Sequence, residues 1–240
     1  MYRRFLLLLF PLFFQACTSQ QINQTLQTVL NGGLSSQDIA NGLKEALRIG
    51  AQEGAAELSE PGGYFDDLTY RILLPEEVQQ VTNRLQAVPG FSDLEAVILK
   101  KINQGAEDAA SKAAPIFVDA IRSMTIQDAV SILRGDDNAA TQYLRQNTSD
   151  ALRAEFAPVI NTSLDKYDAN KLWLDAATAY NNFPLTRNKV ETDLGAYVTQ
   201  QALDGLFKKV ALKEEDIREN VAARTTDLLR RVFAQQDAVN

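Results

Sequence analysis

The chain has 240 residues, of which 45% are hydrophobic and 23% are charged, proportions that are ordinary for a globular protein. It contains no histidine and a single cysteine, which excludes an intramolecular disulfide, Ser-His-Asp and Cys-His catalysis, and the usual zinc sites. The net charge of −7 gives no global electrostatic attraction to nucleic acid, so we expect no nucleic-acid partner.

The N-terminus has the layout of a lipoprotein signal peptide over residues 1–16. Two arginines precede an apolar run of about ten residues, shorter than the ~20 residues of an ordinary membrane span, and small Ala16 stands directly before Cys17. This pattern resembles bacterial lipoprotein signals, in which the cysteine is lipidated and becomes the first residue after cleavage. We therefore predict that Cys17 carries fatty-acid chains such as palmitate. The alternatives are a secreted protein with a leftover thiol and a buried apolar cysteine.

Residues 17–34, which begin with the lipidated cysteine, are predicted to form a flexible tether. They are rich in Gln, Asn, Thr and Ser, and Gly32-Gly33 separates them from the first predicted helix of the domain. Thr18, rather than Asp, comes directly after the cysteine, and the resemblance to Gram-negative lipoprotein signals implies that this favours sorting to the outer membrane. We expect a domain at residues 35–235 and a short tail at 236–240, held by the lipid at the periplasmic face of that membrane.

The attached domain is predicted to be all-α, a single compact multi-helix domain of roughly ten helices. No segment shows the sustained alternation with β-branched residues that is typical of a half-buried strand. Ser35 and Asp38 are spaced as a capping box that opens the first helix. This helix carries an apolar stripe beside a stripe of small residues that lets another helix approach closely. The apolar stripe is Ile39, Leu43, Leu47, Ala51, Ala55 and Leu58, and the small stripe is Gly42, Ala46, Gly50 and Gly54.

Start and stop signals predict the remaining helices in chain order. Glu60-Pro61-Gly62-Gly63 ends the first helix, and a loop runs to Leu74. Pro158 is expected to kink or split the helix that contains it. Trp173 marks another helix, and the charged residues 214–219 predict a turn before the last one. The predicted helix starts are Pro75, Ser92, Pro115, Thr125, Asp136 or Asp137, Thr148 or Ser149, and Thr192.

Arginines and hydroxyl residues cluster near the predicted helix ends. A guanidinium fork and the positive end of a helix dipole both favour anions there. We predict a polar groove that binds an anionic small ligand or an envelope protein. The alternative is that the arginines pair with aspartates to tie helices together. The candidate ligand-binding residues are Arg71, Asp119, Arg122, Tyr143, Arg145, Arg224 and Thr225, and the aspartates of the alternative are Asp119, Asp128, Asp150 and Asp204.

Two other functions stay open at this point. A carboxylate-dependent hydrolase acting on an envelope substrate needs an acid and a base or nucleophile in one cleft. A carrier of an apolar ligand needs a cavity between helices, whose lining residues could equally form an ordinary core. No phosphate loop, dinucleotide fingerprint or metal-ligand cluster is present, so we assign no catalytic residue, no metal ligand and no cofactor. The carboxylate pairs are Asp119 with Asp128 and Asp204 with Glu215, and the aromatic residues are Phe156, Trp173, Tyr180 and Phe207.

Several blocks of the predicted domain resemble one family. They are "ALRIGAQEGAAELSEPGGYF", "RILLPEEV", "PIFVDAIRSMTIQDAVSIL", "AATQYLRQNTSDAL", "YVTQQALDGLF" and "AARTTDLLRRVF". In this order they are similar to the bacterial domain of unknown function 4197 family, from about Leu34 to Phe233, although Val221 stands where the family pattern has Pro. The resemblance implies a helical, often lipoprotein-like envelope protein of proteobacteria, and it carries over no activity. We therefore favour a non-enzymatic, periplasm-facing binding protein with a lipid anchor.

Overall fold

A computed structural model describes residues 33–74, 94–166, 168–182 and 192–237 of the chain, with the single residues 79, 184 and 189. These residues form eight α-helices and a 3₁₀ turn and contain no β-strand, which confirms the predicted all-α, single-domain fold. The signal peptide, Cys17 and the predicted helix starts at Pro75 and Ser92 lie outside the described residues. The helices are α1 Ser36–Ser59, α2 Leu94–Ala110, α3 Ala113–Ser123, α4 Ile126–Leu133, α5 Ala139–Asp165, α6 Ala169–Asn181, α7 Leu194–Glu219 and α8 Asp227–Asp237, with the 3₁₀ turn at Val221–Ala223.

Three long helices, α1, α5 and α7, lie at the centre of the fold. Helix α7 packs along both α1 and α5, α2 packs on α5, and α3, α4 and α8 pack on α1. Phe117 of α3 meets Phe207 of α7 edge to face, with 5.9 Å between the ring centroids. Phe156, Trp173 and Phe207 are each at most 3% exposed and belong to the hydrophobic core. The aromatic residues considered for a carrier cavity therefore stabilise the packing, apart from Tyr180, which is partly exposed.

Helix α1 begins as its sequence predicts. Ser35 Oγ accepts the N–H of Asp38 at 3.1 Å, and the Asp38 carboxylate accepts the N–H of Ser35 at 3.0 Å. This reciprocal capping satisfies donors that the first helical turn leaves without partners. The hydrogen bonds from Ser35 also lower the pKa of Asp38. All six residues of the predicted apolar stripe are buried.

The small-residue stripe of α1 faces the C-terminal helices. A Cβ atom added at Gly42 would lie 2.6 Å from a methyl carbon of Val232 in α8, which is closer than packed carbon atoms approach. At Gly50 and Gly54 the nearest atoms belong to Lys213 and Lys209 of α7, each at 3.4 Å, which is ordinary contact. The predicted close helix approach is confirmed, and it is tightest where α8 crosses α1.

Helix α5 is one continuous helix. The sequence had predicted two helices here, one starting at Asp136 or Asp137 and the other at Thr148 or Ser149. Asn138, without a side-chain cap, precedes its first turn. Thr148 and Ser149 do not cap a new helix, because their hydroxyls donate to carbonyls one turn earlier, each at 2.6 Å. Pro158 lies inside the helix and does not split it. Packing against α2 and α7 therefore outweighs the local stop signals.

Helix α7 continues to Glu219 through the segment that was predicted as a charged turn. The reason is that Glu214 and Arg218 are buried and bonded to each other, with Arg218 Nη2 2.8 Å from Glu214 Oε1. The Glu214 carboxylate also accepts the N–H groups of Ala140 and Thr141 at 3.0 and 2.8 Å, at the positive end of α5. Charged residues that looked solvated in the sequence thus join α7 to α5.

Candidate functional site

Two of the four arginines predicted to bind an anion, Arg122 and Arg145, pair with aspartates. Arg145 Nη1 lies 2.8 Å from Asp204 Oδ1, and its guanidinium covers the ring of Phe207 at 4.5 Å from the centroid. Arg122 and Asp119 are 3.4 Å apart on α3, and both side chains are more than three-quarters exposed. Of the Arg–Asp pairs, Arg145–Asp204 joins α5 to α7 and so matches the helix-tying alternative, whereas Arg122–Asp119 and Arg153–Asp150 each lie within a single helix.

Two further arginines of the predicted site hold main-chain groups. Arg224 is 1% exposed, and it donates from Nε to the carbonyl of Ile217 at 3.0 Å and from Nη2 to the carbonyl of Arg218 at 2.7 Å. It therefore satisfies carbonyls at the end of α7 that the helix leaves without donors. Arg71 donates to the carbonyl of Phe65 and lies over the Phe65 ring, 5.0 Å from its centroid. Both roles are structural.

The remaining predicted residues lie apart from these. Tyr143 is partly buried on α5, and its burial, with the Asp128 carboxylate nearby, raises its pKa. Thr225 is exposed just before α8. Asp128 accepts from the N–H and hydroxyl of Thr125 at 3.0 and 2.7 Å and so caps α4. None of the seven predicted ligand residues is among the described residues that line a cleft between α1, α2 and α5.

The carboxylates considered for a hydrolase have other contacts. Asp119 pairs with Arg122, and Asp128 caps α4. Asp204 accepts from Arg145 and from Gln200, at 2.8 and 3.0 Å. The last carboxylate of this set, that of Glu215, lines a shallow acidic depression near the end of α7.

The loop after α1, residues 61–74, is held in place by α2. Asn103 is fully buried and binds both main-chain groups of Ile72: its Oδ1 accepts the N–H at 2.8 Å and its Nδ2 donates to the carbonyl at 2.9 Å. Tyr70, Ile72 and Leu74 are buried at the end of the loop. An irregular segment with buried main-chain groups needs such partners, and a side-chain amide supplies a donor and an acceptor at once.

Glu107, one turn beyond Asn103, holds the start of the same loop. Its Oε1 accepts the N–H groups of Tyr64 and Phe65 at 3.2 and 3.1 Å, and the residue is only 6% exposed. Burial, with the negative charge of Glu107, raises the pKa of Tyr64, whose hydroxyl donates to the carbonyl of Ala202 at 2.7 Å. A single carboxylate oxygen thus carries both hydrogen bonds to the loop.

The second carboxylate oxygen of Glu107, Oε2, accepts no hydrogen bond from the described residues. Both of the hydrogen bonds that Glu107 accepts from described residues end at Oε1, and no described residue forms an ion pair with Glu107. The one wholly buried side-chain atom without a partner in the described part of the chain is Asn170 Oδ1, so Oε2 is not sealed from solvent. Glu107 is also one of the residues that line a cleft between α1, α2 and α5.

This cleft, called here the Glu107 cleft, has a volume of about 700 Å³ and lies between the end of α1, the middle of α2 and the second half of α5. Helices α2 and α5 come close beside it at Gly105, where an added Cβ would be 3.3 Å from the Cβ of Ser163. Its volume is within the ~300–1,000 Å³ that is usual for ligand pockets. Its polar lining includes Gln104, Glu107, Asp108 and Lys166, and its apolar lining is Pro61, Pro158 and Val159.

The cleft is lined by two carboxylates that can accept hydrogen bonds from a ligand. Two neighbouring carboxylates, of Glu107 and Asp108, come from α2, while Lys166 lies at the C-terminal end of α5. A search of the described residues finds no group of three or more Asp, Glu, Cys or His that could hold a metal ion. The two carboxylates offer hydrogen-bond acceptors and negative charge to whatever enters the cleft.

Sequence reasoning missed Asn103 and Glu107 because polar residues in a helix usually face solvent. One signal was available: the two residues are four apart and lie next to Ile102 and Ala106, which are both buried. Residues four apart share a helix face. Counting the alanines of α2 as part of its apolar stripe would have placed this polar pair beside the core.

Comparison with known proteins identifies one family. The model of the family described as "Protein of unknown function (DUF4197)" matches residues 33–234. No curated protein and no solved structure matches the chain. Within the part of the chain that the structure describes, no helix combines the length and hydropathy needed to cross a membrane.

Proposed function

The chain belongs to the DUF4197 family, and from that premise we propose that it is a binding protein of the bacterial envelope, attached to the outer membrane by a lipid on Cys17. The family model covers the helical domain and leaves the N-terminal 32 residues outside it. Those residues carry the lipoprotein-type pattern of an apolar run, Ala16 and Cys17. Several acyl chains on one residue give stable anchoring, whereas one chain binds a membrane only marginally.

The observation that carries the binding role is the Glu107 cleft. Buried carboxylates are normally neutralised by a cation or fully hydrogen-bonded, whereas Glu107, which lines the cleft, has hydrogen bonds from described residues to one oxygen only. A buried polar group that is only partly satisfied is costly for stability. Such a cost is understandable where the group completes its bonding with a ligand. The proposed binding surface is thus the acidic cleft rather than the arginine groove that the sequence suggested.

Site-specific photocrosslinking in living cells tests the location of the binding surface. A photoreactive amino acid replaces Thr162, an exposed residue of the cleft wall, or Glu155, an exposed residue of the same helix outside the cleft lining. We expect a discrete adduct from position 162 that is missing from position 155. Equal adduct patterns at both positions, or no adduct at either, would contradict a binding role for the cleft.

Metabolic labelling with a fatty-acid analogue tests the anchor separately. The unmodified chain should become labelled and sediment with outer membranes. The Cys17→Ser variant should lose the label, because the sulfur is the predicted acylation site. Unchanged labelling of the variant would reject the anchor while leaving the cleft proposal untouched.

A further inference from the structure

The most unusual charge in the described part of the molecule is the carboxylate of Glu107. The residue is only 6% exposed, and the ion pairs of the described residues do not include it. The other deeply buried acid, Glu214, has Arg218 bonded to it at 2.8 Å. Within one domain, then, one buried acidic residue has its own cationic partner and the other, without one among the described residues, lines a cleft.

We infer that the Glu107 cleft receives a basic side chain, an ammonium or guanidinium group on an aliphatic stem, from an extended segment of a partner polypeptide. This inference rests on the proposed binding function and names the chemistry of its ligand. The charged head group would donate to Glu107 Oε2, completing the bonding of a carboxylate whose Oε1 already accepts two main-chain N–H groups. Hydrogen bonds between charged partners are roughly twice as strong as neutral ones.

The walls of the cleft fit the stem of such a side chain. Pro61, Pro158 and Val159 give an apolar surface beside the acidic α2 wall. Lysine and arginine place their methylene groups along apolar surface while the head group reaches a polar partner. A small inorganic cation would make no use of these walls. The side-chain amide of Gln104 accepts from Lys101 at 2.9 Å, so its oxygen is already occupied.

The size and charge of the surroundings favour a polypeptide over a free amine. The cleft volume of about 700 Å³ exceeds what one basic side chain fills, which leaves space for flanking residues of a segment. The net charge of −7 attracts a basic segment at long range and speeds its association. Lys166 also lines the cleft, and its positive charge disfavours a second positive charge close to it.

The test uses a fluorescent peptide of alternating arginine and alanine and the protein as cells make it, purified in detergent. The matched probe replaces each arginine by citrulline, which keeps the shape and removes the charge. Binding is measured by fluorescence anisotropy at low and physiological salt. We expect saturable binding of the arginine peptide and at least about tenfold weaker binding of the citrulline peptide, as expected for loss of a charge-assisted hydrogen bond.

The decisive variant is Glu107→Gln. A glutamine keeps an oxygen that accepts the N–H groups of Tyr64 and Phe65, so the loop stays in place, and it removes the negative charge. The melting temperature should change little and the arginine peptide should bind at least about tenfold more weakly. Glu155→Gln, the same change at an exposed position of α5, should bind like the unmodified protein, and Lys166→Gln should bind a few times more tightly.

Three results would overturn the inference: equal affinity for the arginine and citrulline peptides, undiminished affinity of a folded Glu107→Gln variant, or no binding of the arginine peptide at all. Photocrosslinking at position 162 shows whether such a result contradicts only the proposed ligand chemistry or the binding function as well. Adducts at the cleft without peptide binding would mean that the ligand has a different chemistry. An absence of both would remove the binding function and this inference together.

Discussion

Replacing Asn103 by alanine should cost the fold a large part of its stability. The change removes three hydrogen bonds: Ile72 N–H to Oδ1 at 2.8 Å, and Nδ2 to the carbonyls of Ile72 and Leu99 at 2.9 and 2.7 Å. Ile72 is 2% exposed, so both of its main-chain groups would be left buried without partners. Each such group costs about 1–3 kcal/mol, so the two together give an expected loss of about 2–6 kcal/mol. A domain of this kind has a total unfolding free energy of only ~5–15 kcal/mol.

Urea unfolding followed by circular dichroism measures this loss, with the slope checked to confirm that the transition stays two-state. Asn147→Ala is the matched control, because Asn147 also lies in a helix and donates to a carbonyl at 2.8 Å, but on the surface of α5. Both variants gain the same helix propensity from alanine, so their difference isolates the buried contacts. The control should change stability by less than ~0.5 kcal/mol. If Asn103→Ala also lost less than ~1 kcal/mol, the loop would not depend on this residue and the reasoning would be wrong.

Three further predictions concern packing, charge and pH. Gly42→Ala should lower the melting temperature, because the added methyl group would lie 2.6 Å from a side-chain carbon of α8 and overlap it. Gly50→Ala, whose nearest contacts are at 3.4 and 3.5 Å, should be neutral or stabilising by up to ~1 kcal/mol. The opposite order of melting temperatures would contradict the helix packing. Arg224→Ala should lower the free energy of unfolding by about 3 kcal/mol, because it leaves carbonyls at the end of α7 without donors. Arg145→Ala breaks a half-exposed ion pair and should lower it by no more than ~1 kcal/mol. Similar urea midpoints for the two variants would refute the structural role of Arg224. Because the pKa of Asp38 is lowered in the folded state, its contribution to stability is complete above the unfolded-state pKa and is lost as the pH falls through the folded-state pKa. Asp38→Asn should therefore flatten the acid side of the curve of unfolding free energy against pH. An unchanged slope there would argue against the capping box.

The parts of the fold that could be predicted from sequence are those whose signals are local. The capping box predicted at Ser35 forms, and the helix start predicted at Thr125 is also a capping box with donor and acceptor three residues apart. The apolar and small stripes of α1 depend only on helical periodicity, and they face the core and the C-terminal helices as predicted. Where a pattern within about one helical turn decides the structure, the sequence was sufficient.

The parts that were mistaken depend on contacts between distant residues. Glu214 was assigned to a turn because its neighbours are charged, but its partners at Ala140 and Thr141 lie 74 and 73 positions away. Glu107 binds main-chain groups 43 and 42 positions away, and nothing in its immediate sequence indicates this. Main-chain donors carry no sequence signal of their own, so a side chain that binds them looks like any other surface residue. The candidate site could not be found from sequence for the same reason.

The pairing of the first helix with the last two has a consequence for the order of folding. The ion pair between Glu57 of α1 and Lys213 of α7 joins positions that are 156 residues apart, and Gly42 meets α8 near the very end of the domain. Contacts between such distant segments form slowly, and during synthesis they must wait until the later segment has been made. The surface of α1 that packs on α7 and α8 is therefore synthesised early and covered only after the C-terminal helices have been made, whereas α3 and α4 can pack on α1 sooner.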